Sequence, residues 1–300
     1  MKYEALAACF ASAPCLMTQL STALIIGMLL FLVASGLTLI FGVLKVINFA
    51  HGSFYMLGAY FAFTAYKLTG SYAAAFLAGA VGVALFGILF ERLFFSRVYG
   101  ANVLMHLLVC YAFILILDDL VAILWGAEYQ SMGMPAAFAL PPIRFAGGFL
   151  PPYYLFLIAV AFATAILLWL LIARTRYGKI VRAAAHNPAM VSSLGINTPL
   201  LFTGVFALGS LLAGAAGALA APMRSLTPGM GFSILIESFI ITVIGGMGSI
   251  GGAFIASILI GLTRAFGSIG LPLFVDGLMF LMMVVVLIVR PSGLLGKPVD

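Results

Sequence analysis

The ionisable side chains that fall inside or beside apolar runs are the first candidates for chemistry in this sequence. Seven of them are taken as candidates, namely Lys45, His51, His106, Asp118, Asp119, Glu237 and Asp276. Charged groups at membrane depth are costly and mark substrate paths, proton relays or ion pairs. We expect Lys45 to reach the membrane interface, and Asp118 with Asp119 to mark a helix end. His51 and Glu237 each adjoin an irregular segment, so lining of a pathway and hydrogen bonding inside a bundle are both open for them.

The sequence lacks the usual motifs of catalysis. The pairs Gly178-Lys179 and Gly296-Lys297 lack the other residues of a phosphate-binding loop, so we expect no ATP hydrolysis by this chain. No His-Glu-x-x-His or Gly-x-Ser-x-Gly pattern occurs. The cysteines are too few for a disulfide framework and form no metal-type cluster; they are Cys9, Cys15 and Cys110. The sequence therefore predicts a chain that is not an enzyme and holds no cofactor or metal.

Composition excludes a water-soluble protein. The chain has 300 residues, of which 65% are hydrophobic and 7% charged, and its mean hydropathy is +1.26. A soluble domain carries about 25% charged residues. The net charge of +6 rests on too few cations for a surface that binds nucleic acid. We expect the basic excess in cytoplasmic loops beside anionic membrane lipid.

Apolar runs of about 20 residues, the length that spans a bilayer, recur along the chain. They predict an all-α bundle of about eight to nine membrane-spanning helices, some of them broken. We expect an N-terminal segment over residues 1–19 and one transmembrane domain over 20–300. The predicted spans are roughly 20–44, 49–66, 72–90, 103–117, 153–173, 200–221, 232–245, 251–266 and 273–289.

The positions of lysine and arginine predict the orientation of the chain. Segment 174–197 is assigned to the cytoplasm because it contains Arg174, Arg176, Lys179 and Arg182. The same count of crossings puts four more basic residues inside, namely Arg92, Arg97, Arg290 and Lys297. The N-terminus is then outside and the C-terminus cytoplasmic. Leu6-Ala7-Ala8-Cys9 has the form of a lipoprotein cleavage site, but the apolar run before it is too short for a leader, so a lipid-modified terminus is the minority interpretation.

Two segments interrupt the apolar pattern. Residues 47–53 read Ile-Asn-Phe-Ala-His-Gly-Ser, and residues 245–252 contain five glycines. Because glycine costs about 1 kcal/mol relative to alanine inside a helix, the second run is not expected to persist as an uninterrupted helix. A break at membrane depth is tolerated where it is buried in protein or lines a cavity, and transporters build binding sites from such breaks.

The basic loop 174–197 has the signals of two short helices. Residues 179–185 favour a first helix, and Asn187-Pro188 has the form of an N-cap followed by proline at the first helical position. A second helix through Leu194 would end at Gly195. Met190 and Leu194 on one side can fill a groove in a partner. A plain positive linker is the alternative, but it does not explain the helix signals.

Three stretches together resemble the branched-chain amino-acid ABC transporter permeases. They are residues 36–52, with Asn-Phe-Ala-His-Gly; the loop 174–197; and residues 237–253, with Gly-Gly-Met-Gly-Ser. The tail Arg290-Pro-Ser-Gly-Leu294 is similar to that of one permease of the pair, and the likeness runs from about residue 20 to 297. Members of this family also serve urea, amides and organic acids.

The resemblance implies a bacterial inner-membrane importer driven by ATP. The implied partners are a second related permease chain, two ABC ATPase subunits that bind ATP and Mg, and a periplasmic substrate-binding protein. Docking on the ATPase is expected of Arg174, Arg176, Arg182, Ala183, Asn187, Met190, Leu194, Gly195 and Ile196. Val191 and Ser193 depart from the family's common Ala and Leu, so docking contacts are expected to differ in detail.

The pathway is expected beside the two irregular segments. Its candidate residues are Asn48, His51, Gly52, Ser53, Glu237, Gly245, Gly246, Gly248 and Ser249. Two other functions stay open at this point. One is an ion-coupled transporter with a proton site at His51 or Glu237, and the other is an intramembrane enzyme. Neither accounts for the helix signals of loop 174–197.

Overall fold

The computed structural model of the chain describes residues 3–145 and 148–296. Lys297, expected at the cytoplasmic end, lies outside the described residues. Within them the helices are α1 (Tyr3–Ala11), α2 (Ala13–Leu44), α3 (His51–Thr69), α4 (Tyr72–Leu93), α5 (Val103–Trp125), α6 (Pro152–Arg174), α7 (Arg176–His186), α8 (Pro188–Ser193), α9 (Thr198–Ala220), α10 (Met230–Gly245), α11 (Ile250–Gly270) and α12 (Val275–Val289).

The predicted polytopic helical bundle is confirmed. Across the described ranges, seven helices are long and apolar enough to cross a membrane: α2, α4, α5, α6, α9, α11, and α12 with the turn before it. Two further helices coincide with predicted spans but are not among these seven. They are α3, with 19 residues, and α10, with 16. The predicted eight to nine spans thus correspond to the seven long apolar helices together with α3 and α10. The expected boundary at residue 19 falls inside α2.

α4 runs antiparallel to α9 and in the same direction as α6, and the helix ends sort to two ends of the bundle. Gly79 of α4 meets Ala218 of α9, and Gly87 of α4 meets Ser210 of α9. Hydroxyls of Tyr72 and Tyr153 hydrogen bond at 2.6 Å, which joins the starts of α4 and α6. We call the end that carries α7, α8 and the last turns of α2, α4, α6 and α12 the basic end, and the opposite one the far end.

Glycines let the central helices touch backbone to backbone. Gly58 of α3, Gly79 of α4 and Gly214 of α9 contact one another, and Gly217 lies against the carbonyl of Tyr55. This is the close approach that small residues four apart allow between membrane helices. The helices α3, α4 and α9 therefore form a tightly packed centre.

The long far-end loop between α5 and α6 has structure that the all-α prediction omits. It contains a small antiparallel hairpin of β1 (Ile143–Phe145) and β2 (Gly148–Leu150), in which Ile143 pairs with Leu150. Gln130 also exchanges backbone hydrogen bonds with Leu226 in the loop before α10. Strands of three residues are too short to carry a readable alternation of polar and apolar residues, so the sequence pattern does not reveal them.

Replacing Gly217 by alanine should destabilise the bundle. The new methyl group would overlap the Tyr55 carbonyl and lie 2.9 Å from the Ala59 amide nitrogen. Overpacking of this kind costs about 1–3 kcal/mol and lowers the unfolding midpoint by about 2–10 °C. Gly277→Ala in α12 is the matched control, since open space surrounds that position. Thermal unfolding of the purified chain in detergent measures both; equal midpoints for the two variants would contradict this packing.

Candidate functional site

The predicted interruption at residues 47–53 is confirmed, and it lies inside the bundle. α2 ends with Lys45 in the left-handed conformation, at φ 58°, and α3 starts only at His51. The His51 ring lies against Gly36 and hydrogen bonds through Nε2 to the Val33 carbonyl at 3.1 Å. Val33 is about three turns before the end of α2. The N-terminus of α3 therefore faces the middle of α2 rather than its end.

His51 and Asn48 each keep one polar atom without a partner. Since a carbonyl only accepts, Nε2 of His51 carries the hydrogen and Nδ1 is a free acceptor. The Asn48 Oδ1 accepts from the Ala50 amide at 3.1 Å, which leaves its Nδ2 as a free donor. Both side chains are fully buried. Buried polar groups normally find partners, so these two atoms are suited to meet a polar molecule that enters.

The first turns of α3 and α10 cross at glycines. A side chain on Gly52 would overlap the Gly231 carbonyl and meet Leu235, and Ser53 beside it is buried. Two helices thus begin within the protein, close to each other, as in the discontinuous helices of transporters. Of the predicted pathway residues, Gly52 and Ser53 lie at this crossing, whereas Asn48 lies in the break before α3 and His51 begins α3.

Glu237 is buried but not isolated. Its Oε1 lies 2.7 Å from Nη1 of Arg264 on α11, and the other guanidinium nitrogen of Arg264 is 3.7 Å from Asp276. Arg224 is close enough to interact electrostatically with the same carboxylate. Glu237 keeps one oxygen, Oε2, unpaired. Arg264 is a site residue that the sequence prediction lacks, although an arginine inside the predicted run 251–266 was an available signal.

The glycine run 245–252 is a turn, as predicted, and the structure places it at the basic end. α10 ends at Gly245 and α11 begins at Ile250, with Gly246 at φ 97° and Gly248 at φ 90°. The Ser249 hydroxyl accepts from the Gly252 amide and caps α11. Gly248 packs on Gly42 near the last turn of α2, away from Val33 and His51. A pathway role for Gly245, Gly246, Gly248 and Ser249 stays a prediction.

The tail after α12 folds onto this turn. Amides of Leu294 and Leu295 donate to the carbonyls of Ile244 and Gly245, at 2.8 and 3.1 Å. Gly293, at φ 79°, lies against the bare backbone of Gly246. The Arg-Pro-Ser-Gly-Leu motif therefore caps the end of α10, a role that the motif alone did not reveal.

The two helices predicted in the basic loop are confirmed as α7 and α8. The Asn187 Oδ1 accepts from the Met190 amide at 3.0 Å, and Gly195 closes the second helix at φ 82°. The first helix begins earlier than predicted, at Arg176, because the Thr175 hydroxyl caps it by accepting from the Gly178 amide at 3.0 Å. We call residues 176–195 the α7–α8 hairpin.

One face of the α7–α8 hairpin is packed against the bundle. Its buried hydrophobic side chains are Val181, Ala184 and Val191, and they cluster with Leu39 and Val43 of α2 and with Leu201 and Val205 of α9. Arg182 donates to the Ile172 carbonyl and so caps α6 within the chain. The hairpin is therefore fixed to two long helices at once.

The other face is open. Met190 is 64% exposed and Leu194 is 72% exposed. Arg174, Arg176, Ala183, Asn187 and Gly195 are also exposed, and Ile196 is half-buried. Arg174 lies over the Trp169 ring at 5.6 Å. An apolar pair on an exposed hairpin, surrounded by basic residues, is suited to a protein partner.

A buried carboxylate that the sequence analysis missed clamps the start of α9. Glu91 of α4 accepts from the Tyr99 hydroxyl at 2.7 Å and from the Thr203 hydroxyl at 2.8 Å. Burial and the neighbouring Glu91 raise the pKa of Tyr99 above its ordinary value, so the hydroxyl stays a donor. No local pattern links these residues, since Thr203 is far along the chain. Thr203 lies on α9, the helix that follows the α7–α8 hairpin, so the clamp ties this helix to α4.

No metal site is found in the part of the chain that the structure describes, since no three His, Cys, Asp or Glu side chains there are grouped to hold an ion.

Known proteins resemble the chain over nearly its whole length. A family model described as "Branched-chain amino acid transport system / permease component" matches residues 19–287. The high-affinity branched-chain amino acid transport system permease protein BraD of Pseudomonas aeruginosa is 31% identical, over 93% of this chain and 95% of its own. The corresponding LivH of Escherichia coli is 29% identical over 93% and 95%. The probable LivH of Methanocaldococcus jannaschii is 30% identical over 92% and 91%. No solved structure matches.

Tyr99→Phe should loosen the Glu91 clamp. Loss of a hydrogen bond to a buried charged group costs about 1.5–3 kcal/mol, so the unfolding midpoint should fall. The difference from wild type should shrink above about pH 10, because tyrosine ionises there in the unfolded chain. Tyr129→Phe, at a position 80% exposed, is the control and should change nothing. Thermal unfolding across pH measures both; a Tyr99 variant as stable as wild type at neutral pH would show that Glu91 needs no such donor.

Proposed function

The chain belongs to the permease family of branched-chain amino acid transport systems, and from that premise we propose that it is the membrane-spanning subunit of an ATP-driven importer. Its substrates are branched-chain amino acids or related small polar solutes, as the names of the relatives suggest. Its partners are a second related permease, two ABC ATPase subunits and a periplasmic substrate-binding protein. ATP and Mg bind to the ATPase subunits.

One observation carries this proposal, namely that α2 and α9, the two helices that hold the hairpin, also cross beside the His51 ring. Leu39 and Val43 of α2, with Leu201 and Val205 of α9, hold the α7–α8 hairpin. About one to two turns further into the bundle, α2 and α9 cross where Gly36 lies against Gly209 and the His51 ring. A push on the hairpin is therefore delivered to the helices that enclose the break before α3. Docking of an ATPase on the hairpin would open and close that region.

The free atoms at the break fit a substrate with both donors and acceptors. Nδ1 of His51 can accept from an ammonium or amide group, and Nδ2 of Asn48 can donate to a carboxylate or carbonyl. Both are fully enclosed in this conformation, so they meet substrate only when the helices move apart. We assign Asn48, His51, Gly52 and Ser53 to the pathway on this basis.

The orientation follows from the basic end. Short loops rich in Lys and Arg stay on the cytoplasmic side, so this end faces the cytoplasm and the far end faces the periplasm. The protein lies in the bacterial inner membrane, with its N-terminus outside and its C-terminus inside. A proton-coupled mechanism at Glu237 is less well supported, because Arg264 already compensates that carboxylate.

Leu194→Glu should uncouple the importer. A carboxylate in place of Leu194 would remove an apolar contact that we expect to be buried when the ATPase docks. Loss of a central interface contact of this kind lowers the binding free energy by about 2 kcal/mol or more. Leucine uptake by vesicles that contain the complete complex should fall at least tenfold. Leu68→Glu, at a far-end position 79% exposed, is the control and should leave uptake and ATPase activity unchanged. Normal leucine-stimulated ATP hydrolysis by the Leu194 variant would contradict the assignment.

His51→Gln should impair transport without disrupting assembly. Glutamine can still donate to the Val33 carbonyl but does not present the free ring nitrogen. We expect the leucine uptake rate to fall by about tenfold at equal amounts of assembled complex. His106→Gln is the matched control, since His106 is also buried with one unpaired ring nitrogen but lies on α5. Equal effects of the two substitutions on uptake would assign His51 a structural role only.

A further inference from the structure

The two N-terminal cysteines are bonded across a helix joint. Cys9 lies in the last turn of α1 and Cys15 in the first turn of α2, with Ser12 between the helices. The two form a disulfide, with Cα atoms 5.2 Å apart, inside the range that disulfides span. Cys9 is buried, and Cys110, the third cysteine, is buried and free.

α1 packs against the far end of α11. The Phe10 ring stacks on Phe266 with centroids 5.3 Å apart and planes within 2°. Leu6 packs on Gly270, the last residue of α11. A helix of nine residues is unstable alone in water, so α1 depends on these contacts and on its link to α2. Cleavage of the disulfide would leave the stacked rings and Leu6 as the main contacts.

We propose that Cys9 and Cys15 are an oxidative modification site, at which a periplasmic disulfide clasps α1 over the outer end of α11. Disulfides persist in the periplasm and are rare in the cytoplasm, so the proposal rests on the proposed orientation. Formation removes two protons and two electrons from the two thiols and makes the S–S bond. The oxidant is the disulfide of a periplasmic thiol oxidase, which is reduced to a dithiol.

The disulfide with Cys15 and the attachment of a lipid would both use the thiol of Cys9. Leu6-Ala7-Ala8-Cys9 has the form of a lipoprotein cleavage site. Lipidation would consume the Cys9 thiol as a thioether and remove the residues before it, including Leu6. Both the disulfide and the Leu6 contact with Gly270 require the uncleaved chain. The two modifications are therefore mutually exclusive.

Differential thiol trapping tests the bond directly. Cells that express the complete complex are quenched in acid, denatured, and treated with N-ethylmaleimide to block free thiols, Cys110 included. Reduction followed by a maleimide-polyethylene glycol reagent should then add two polymers to the wild-type chain and none to Cys9→Ser. Cells without periplasmic thiol oxidase should give none. An absence of adducts in wild type, adducts that form without the oxidase, or an intact mass with a lipid on Cys9 would each overturn the proposal.

A separate labelling experiment tests on which side of the membrane Cys15 lies, independently of whether the disulfide forms. In Cys9→Ser, the partly exposed Cys15 is left as a free thiol. A membrane-impermeant maleimide should label it in intact spheroplasts. Labelling of Cys15 in intact spheroplasts, combined with no disulfide in the wild-type chain, would reject the disulfide and leave the proposed orientation intact. Labelling only after lysis would reject the proposed orientation, and with it the periplasmic oxidation.

Hydrogen exchange tests the clasp. Reduction of the purified complex, or Cys9→Ser with Cys15→Ser, should speed exchange of the amides of residues 6–11 by about tenfold or more. Cys110→Ser is the matched control, because it removes a cysteine outside the bond, and it should leave that exchange unchanged. Unchanged exchange on reduction would show that the disulfide does not hold α1 in place.

Discussion

The contact on which the rest of the structure depends is the crossing of α2 and α9 at Gly36 and Gly209. A side chain on Gly36 would come within 2.6 Å of the Gly209 carbonyl and 3.0 Å of the His51 ring. Only glycine permits this approach, since there is no Cβ to displace the neighbouring helix. The crossing lies beside the His51 ring, and the hydrogen bond from that ring to the Val33 carbonyl ties it to α2. Movement of either helix therefore disturbs the break before α3.

The Glu91 clamp and the break before α3 differ in how many of their buried polar atoms have partners. At the basic end, Glu91 has both oxygens satisfied, by Tyr99 and Thr203. At the break, Asn48 and His51 each lack one partner. Because a buried polar atom without a partner costs about 1–3 kcal/mol, a satisfied clamp stiffens its helices while unpaired atoms favour a conformation that admits water or solute. The Glu91 clamp is thus fully paired, whereas the break before α3 keeps two buried polar atoms without partners.

Features that depend on neighbouring residues were predictable from the sequence, whereas long-range partners were not. The Asn187-Pro188 cap, the Gly195 stop and the interruption at residues 47–53 each follow from the backbone preferences of a few adjacent residues. The pairing of Glu237 with Arg264, the Glu91 clamp and the docking of Leu294 on α10 depend on how distant helices pack. The glycine run illustrates the limit: its turn was predictable, but its place at the basic end required the lengths of α10 and α11.

The most direct test of coupling through α2 and α9 uses the native thiol of Cys110, which is buried beside the Asn48 Oδ1 at 3.8 Å. Its reaction rate with a small methanethiosulfonate can be measured in the complete complex with and without ATP. If the hairpin moves the helices around the break, ATP turnover should speed the reaction at least tenfold, and Leu194→Glu should abolish that increase. A Cys110 reaction rate that is the same with and without ATP would contradict this coupling, and so would an ATP-dependent increase that is unchanged in Leu194→Glu.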